Sequence, residues 1–411
     1  MRVLFITHTF YPYHKSGGTY NRMLMFVDAL RDVEELDMLF YVSSEIDISP
    51  KSVEHYKAIL QEKWHPRIEL FLCPQEVKHL SRSKFDRQLR GIFDFRQQDI
   101  VSAANGKAQL QAFESCLERN PNFILVNYLT STLPILKTKK KLPPILFDLN
   151  DVEHKKLLST ARKPTKNPLT KLYHLQVPNL KRGEYQAIRA MQKTFVCSEV
   201  DQEYLSQNLG LKNVEVIPNS ATLQDFQETV QQPTLLFIGS YGYLPNIQAA
   251  NYLIEEVFPK VKQKVPNAKL IVAGGSPEQI PAYQNNPQDV EFTGFVDDLT
   301  ALYARSRVIC CPVFSGSGTR SKLLEAGAYG KPIVSTTLGA EGIGLVDRRS
   351  FLEYNTAESF AQGCIELLQN DTLCRSLGIN AHMLIQQQYQ RPMIVEKIQS
   401  KLNEIMMPIL K

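Results

Sequence analysis

Short runs of apolar, β-branched residues alternate along this chain with longer stretches in which apolar positions return every three or four residues. That alternation is the mark of parallel strands joined by crossover helices. It predicts strands at Val3–Thr7, Asp37–Val42, Ile68–Cys73, Phe123–Asn127, Ile145–Leu149 and Thr194–Cys197. Helices are expected at Tyr20–Leu30, Gly106–Leu117 and Leu180–Met191. Residues 78–100, charged and aromatic, read as a mobile excursion. The pattern breaks after Val214-Glu-Val-Ile-Pro-Asn-Ser220, where a polar stretch runs to 233, and this is the best domain boundary. A second set of strands follows at Thr234–Ile238, Lys269–Ala273, Val290–Thr293, Val308–Cys311 and Ile333–Ser335. Within Asn246–Val261 the residues Ile247, Ala250, Ile254, Val257 and Val261 mark the buried face of one helix. Beyond 356 the chain reads as helical to its end. The expectation is an α/β protein of two consecutive doubly wound domains, 1–219 and 220–388, with a last helix at 389–411 crossing back to the first.

A length of 411 residues suits two cores rather than one. No apolar run approaches the ~18–20 residues that span a bilayer. Val3–Ile6 is too short for a signal peptide and reads as a first buried strand. The seven cysteines are scattered and form no C-x-x-C pair, which argues for a reducing compartment and against a disulfide framework or a zinc site. A cytoplasmic protein is expected, either free or peripheral on the cytosolic face of a membrane. Charge sharpens the second option. Residues 1–219 hold 31 Lys and Arg against 24 Asp and Glu, and residues 137–193 alone hold 14 against 4. Such an excess suits a phosphate-bearing partner such as anionic lipid, and equally a solvated surface of mixed charge. No nucleic-acid recognition motif accompanies it.

The most informative stretch is Cys311-Pro-Val-Phe-Ser-Gly-Ser-Gly-Thr-Arg-Ser-Lys-Leu-Leu-Glu-Ala-Gly327. A strand ends, a loop with Gly316 and Gly318 follows, and a helix opens near Thr319. Glycines admit a ligand close to the backbone, and the first turn of a helix offers unpaired N–H groups and a positive dipole end. Arg320 and Lys322 add full charges. Glu325, about two turns in, is placed to accept hydrogen bonds from two ribose hydroxyls. A plain capped helix with a Lys322–Glu325 surface pair would leave the same pattern.

With Val216-Ile-Pro-Asn219 before it and Phe292-Thr-Gly-Phe-Val296 between, this stretch resembles the C-terminal half of a family 4 glycosyltransferase of the GT-B fold. Leu236-Phe-Ile-Gly239, Pro266–Gly274, Lys331–Thr336 and Gly339-Ala-Glu-Gly342 extend the likeness, and Met1–Leu30, with Tyr11-Pro12 and Gly17-Gly18, is similar to the family's opening. The resemblance covers 214–388 well and 43–140 poorly. It implies GT-B architecture, two Rossmann-like domains with a deep interdomain cleft. It also implies transfer from a nucleotide-diphosphate sugar with retention, without a metal ion or other cofactor, to a glycan, lipid-linked or small-molecule acceptor. By the same resemblance Gly318, Thr319, Arg320 and Ser317 fall on the diphosphate loop, Glu325 on the ribose-binding glutamate, and Phe295-Val296 on the strand end that reads the base. Gly18 would approach the phosphates from the other domain.

Two departures stand out. The first glutamate of the family's E-x7-E pattern is replaced by Ser317, within G-S-G-T-R-x-K. The usual Arg and Lys after the first strand of the second domain give way to Ser240-Tyr-Gly-Tyr-Leu-Pro-Asn246. Arg320 and Lys322 are therefore expected to supply the positive charge. In the first domain, Asp148, Asn150, Asp151, Glu153 and His154 lie at the end of a predicted strand, and Asp148, Asp151, Glu153 and His154 are candidates to orient an acceptor hydroxyl or the donor sugar. Asp151 is expected to act at the reacting centre, and Asn150, His154 and His8 to face the sugar or acceptor. A helix cap at Asp151 and a structural histidine are the plain alternatives. The departures leave room for a degenerate GT-B binding or scaffold protein, and the architecture for a GT-B-type sugar-nucleotide epimerase.

Overall fold

The computed structural model describes residues 1–11, 17–75, 84–99, 101–161, 172–226 and 231–406, so Pro12, Arg162 and Lys163 lie outside the described residues. The chain divides into two compact units. One is Met1–Pro218 together with the chain from Val395 on, and the other is Asn219–Ile394.

The first unit is a parallel sheet of seven strands, β1 (Arg2–Thr7), β2 (Glu35–Val42), β3 (Ile68–Pro74), β4 (Phe123–Asn127), β5 (Ile145–Asn150), β6 (Lys193–Val196) and β7 (Val214–Val216), in the order β3-β2-β1-β4-β5-β6-β7. Around it run α1 (Gly18–Ala29), α2 (Pro50–Lys63), α3 (Lys84–Phe93), α4 (Lys107–Leu117), α5 (Leu133–Lys137), α6 (Glu153–Ala161), α7 (Leu172–Ala190) and α8 (Glu199–Leu209). The central strands are apolar on both faces because helices cover both, and Val3–Ile6, Phe123–Val126 and Leu146–Phe147 are fully buried. Strand order reverses between β1 and β4, so the loops that leave their carboxyl ends frame the crevice where such sheets take ligands.

The segment read as a mobile excursion is, where described, helical and packed. The amide of Gln98 donates to the carbonyls of Gly91 (2.8 Å) and Gln176 (3.0 Å), Gln176 donates to the Gln88 carbonyl at 2.8 Å, and Asn179 donates to that of Ile92 at 3.1 Å. Amide side chains fasten α3 to α7, and the apolar positions Phe85, Leu89 and Ile92 return at helical spacing along α3, a period the sequence reading passed over.

The second unit has six parallel strands, β8 (Thr234–Ile238), β9 (Lys269–Ala273), β10 (Val290–Gly294), β11 (Val308–Cys311), β12 (Ile333–Ser335) and β13 (Leu352–Glu353), in the order β10-β9-β8-β11-β12-β13. Its helices are α9 (Leu244–Tyr252), α10 (Phe258–Lys264), α11 (Thr300–Arg305), α12 (Ser321–Ala328), α13 (Thr337–Ala340), α14 (Ala357–Gln369) and α15 (Asp371–Gln388). The last helix, α16 (Arg391–Met406), begins in this unit and continues as part of the first. The single helix expected over Asn246–Val261 is interrupted: a π turn at Leu253–Val257 separates α9 from α10. Pro259, in the first turn of α10, brings no N–H to the ladder, and the wider turn absorbs the gap. Ala250, Ile254, Val257 and Val261 are buried all the same. Here the strand order reverses between β8 and β11.

Candidate functional site

In the second unit the switch point is built by the loops after β8 and β11. Between β11 and α12 the chain makes two turns that only glycine enters freely, Gly316 at φ 111° and Gly318 at φ 72°. A Cβ on Gly316 would lie 3.0 Å from the Tyr243 hydroxyl and 3.5 Å from Arg320 Nη2, so the missing side chain keeps the loop open. Arg320 stands at the N-cap of α12, where no side chain caps the helix. Its guanidinium folds back over the loop, where Nη1 donates to the carbonyls of Ser317 and Gly318. Arg320 Nη2 and Ser317 Oγ are both shielded from solvent without a hydrogen-bond partner. An unsatisfied buried polar group costs about 1–3 kcal/mol, and two of them on one glycine turn at an uncapped helix start describe a cradle for an anion. Thr319 completes the turn, its hydroxyl accepting from Asn219 Nδ2 at 2.8 Å.

One turn further, Lys322 Nζ donates to Asn246 Oδ1 at 2.9 Å and stands 4.3 Å from the centre of the Phe237 ring. Asn246 in turn donates to the Ser240 carbonyl at 3.0 Å. The lysine thus reaches the loop after β8, the stretch that sequence comparison found stripped of basic residues. Burial lowers the Lys322 ammonium to about 8, and Arg320 adds to the depression. Burial raises the Glu325 carboxyl to about 7, with Lys322 and Tyr303 pulling the other way. Tyr303 is fully buried, stacked at 4.3 Å on Tyr329, and its hydroxyl has no partner in hydrogen-bond geometry. A lysine and a glutamate that both titrate near neutrality, on one helix face beside the cradle, are what a polar ligand would resolve.

The neighbouring strand ends bring backbone against backbone beside β8. A Cβ on Gly274 would fall 1.6 Å from the Gly239 carbonyl oxygen, and the Gly274 N–H donates to the Gly294 carbonyl at 2.8 Å. β10 ends at Gly294, φ 67°, and hands over to Phe295, 58% exposed, and Val296, which packs on the core.

In the first unit Gly17, φ 99°, turns the chain into α1, and no atom lies within 4 Å of where its Cβ would be. Gly18 opens the helix on exposed backbone, and His8 sits half-buried beyond β1 with its ring 4.6 Å from that of Tyr128. Asn150 takes the left-handed conformation, φ 64°, at a register shift in β5, and its carbonyl and side-chain oxygens accept from Cys197 Sγ. Asp151 is half-buried and accepts from Lys156 Nζ at 3.4 Å. His154 is buried with both ring nitrogens engaged, Nδ1 by Glu184 and Nε2 by the Tyr204 hydroxyl at 2.8 Å, while Glu184 also accepts from the Glu153 N–H. It therefore pins the start of α6 and offers neither nitrogen to a sugar. Asp148 is likewise withdrawn from any ligand. It is fully buried and held by Arg22 Nε at 2.9 Å and Nη2 at 2.6 Å, and by Asn127 Nδ2 at 2.6 Å. Arg22 Nη1 donates to the Ile217 carbonyl at 2.9 Å, which ties α1, β5 and the stretch after β7 together. Sequence reading missed Arg22. Its one signal was a basic residue among the apolar positions of α1, beside Met23 and Phe26.

Residues 232–370 match the family described as glycosyl transferases group 1. Over 172 residues the chain is 25% identical to an uncharacterized 44.6 kDa protein in the cps region of Klebsiella pneumoniae, a match covering 40% of this chain and 44% of that protein. Over 274 residues it is 24% identical to an uncharacterized glycosyltransferase of Methanocaldococcus jannaschii, covering 62% of this chain and 66% of the relative. The match thus spans between about half and two thirds of these curated relatives. Among solved structures it is similar to sucrose-phosphate synthase from Thermosynechococcus elongatus, with a TM-score of 0.74, 14% identity and 99% of each chain covered. TarM aligns with a TM-score of 0.70, 12% identity and 98% of each chain covered. Anabaena HepE in complex with UDP aligns with a TM-score of 0.67, 13% identity, and 98% of this chain and 100% of that one covered. The two doubly wound sheets and this likeness over the whole chain make the fold that of the GT-B glycosyltransferases.

Proposed function

We propose that this chain is a retaining, metal-independent glycosyltransferase that moves a sugar from a nucleotide-diphosphate sugar to a hydroxyl of a glycan or lipid-linked acceptor. The observation that carries the reading is the glycine turn at the start of α12, where Ser317 Oγ and Arg320 Nη2 lie buried without partners. A diphosphate supplies acceptor oxygens for both, and for the uncapped N–H groups of the first turn. Glu325 takes the ribose hydroxyls, and the backbone at Phe295-Val296 takes the base. A solved GT-B neighbour in complex with UDP supports a nucleotide donor.

Chemistry follows from where charge develops. As the bond from the anomeric carbon to the diphosphate oxygen breaks, that oxygen gains negative charge, and Arg320, Lys322 and the fixed N–H groups stabilise it. Preorganised donors of this kind contribute about 2.7–4 kcal/mol each in other enzymes. The acceptor oxygen bonds to the same face of the carbon, and its proton passes to the departing phosphate. No side chain is then required as a base. Asp151 and Asn150, at the end of β5, orient the transferred sugar or the acceptor, with Gly18 and His8 beside β1 on the same unit. A peripheral position on an anionic membrane suits a lipid-linked acceptor and the basic first unit.

The test is replacement of Arg320 and of Glu325 by alanine, with UDP affinity measured by calorimetry and UDP-glucose turnover by release of UDP. Each change is expected to weaken UDP binding at least tenfold, about 1.4 kcal/mol. Wild-type values for both variants would sink the assignment.

A further inference from the structure

The outer faces of α3 and α7 hold the two most exposed large apolar side chains described in the first unit, Phe93 at 82% and Leu175 at 56%. The helices are locked together where these residues stand, since Asn179 binds the Ile92 carbonyl and Gln176 that of Gln88. Phe93 and Leu175 therefore project from one rigid platform. A ring so fully left in water serves no packing role.

Charge around the pair is one-sided. Along α7 the outward stripe runs through Leu175, Arg182 and Arg189, each about two turns from the last, and all three are exposed. The one acid of α7, Glu184, is buried beneath, engaged by His154 and the Glu153 N–H. Arg90 is exposed on the last turn of α3, whose sequence holds three basic residues and one acid. Asp94 beside it is paired with Arg96 at 2.8 Å. Topology sets where this face lies. α3 follows the carboxyl end of β3, and α7 runs down toward the amino end of β6. Phe93 and Leu175 thus sit on the side of the sheet where β1 and β5 deliver Gly18, Asn150 and Asp151.

We infer that the α3–α7 face docks on an anionic lipid bilayer, with Phe93 and Leu175 entering the interface and Arg90 and Arg182 meeting lipid phosphates. No helix among the described residues is long and apolar enough to cross a membrane, so the contact is one of lying on the surface. Docking places the carboxyl ends of the first sheet next to the headgroup layer, where a lipid-linked acceptor presents its saccharide. That last step rests on the transferase reading, while the docking itself does not.

The experiment is co-sedimentation of the full chain with vesicles of phosphatidylcholine alone and of phosphatidylcholine with phosphatidylglycerol. Binding is expected only to the second kind and to fall steeply with added salt. Phe93→Ser and Leu175→Ser should each weaken it about tenfold, and Arg182→Gln about fivefold. All three positions are exposed, so an unchanged melting temperature and unchanged UDP affinity certify the fold and the second unit. Equal sedimentation with both vesicle types, or no loss in Phe93→Ser, overturns the inference. So does self-association in place of lipid binding, seen as a mass in solution that Phe93→Ser halves. If vesicles bind as expected but UDP does not, the docking stands and the transferase reading fails. The reverse outcome sinks the docking alone.

Discussion

Nucleotide binding should expel a proton, and the carboxyl of Glu325 is its source. Burial holds that group at about 7 against an ordinary 4.5. Two ribose hydroxyls donating to the carboxylate favour its charged form and return it to the ordinary range. At about pH 6 the free site then carries ~0.9 of a proton and the occupied site ~0.03, so close to 0.9 of a proton leaves per nucleotide bound. The same linkage raises affinity roughly 20-fold between about pH 5.5 and about pH 7.5. Above about 8 the trend turns over as Lys322 loses its own proton. UDP-glucose is the suitable probe, because its esterified diphosphate has no oxygen that titrates in this range. Calorimetry in two buffers of different ionisation enthalpy counts the protons directly. Glu325→Gln should bind without proton release and with a flat profile below neutrality. A variant that releases as many protons as the wild type, or a wild type that releases none at pH 6, would refute the placing of ribose on Glu325. The ligand-free protein supplies a check of opposite sign. Because the folded value lies above the unfolded one, the stability from this group is fully present below about 4.5. It is lost as pH rises toward 7, by an order of 3 kcal/mol at most. Chemical denaturation at the two ends of that window, with Glu325→Gln as reference, isolates the slope.

Three other outcomes follow from packing. Gly274→Ala sets a methyl group 1.6 Å from the Gly239 carbonyl oxygen at φ +141°, so it should cost about 4 kcal/mol or more, read as a fall in urea midpoint. Arg22→Met strands Asp148 as a buried, unpaired carboxylate and should cost about 3–5 kcal/mol, with the loss eased by acid as Asp148 protonates. Gly183→Ala drives a methyl group to 2.3 Å from the Phe95 ring, which should free the segment around Phe95 from α7 and expose it to limited proteolysis.

Much of this architecture was legible because buried parallel strands announce themselves. Val3–Thr7, Phe123–Asn127 and Lys269–Ala273 are unbroken apolar runs between polar turns, and their observed bounds agree within a residue. The edge strands Val214–Val216 and Leu352–Glu353 were not foreseen, being too short to show a period. The anion loop was visible because glycines at φ 111° and φ 72° and a charged helix start must be written into adjacent residues. Long-range polar pairings have no such local trace. Asp148 and His154 read as groups awaiting a ligand, yet their partners Arg22 and Glu184 lie 126 and 30 residues away, and only the folded sheet brings them in. Residues of one type face a substrate or brace a helix according to neighbours that no window of sequence contains.

The path of α16 has a consequence for synthesis. Because the chain from Val395 on belongs with Met1–Pro218, the first unit stays incomplete until that stretch has left the ribosome, whereas Asn219–Ile394 can close earlier. Vectorial folding, which ordinarily settles the leading portion first, is here inverted. A chimera that swaps halves at Pro218 alone would separate the leading portion from the helix that finishes it.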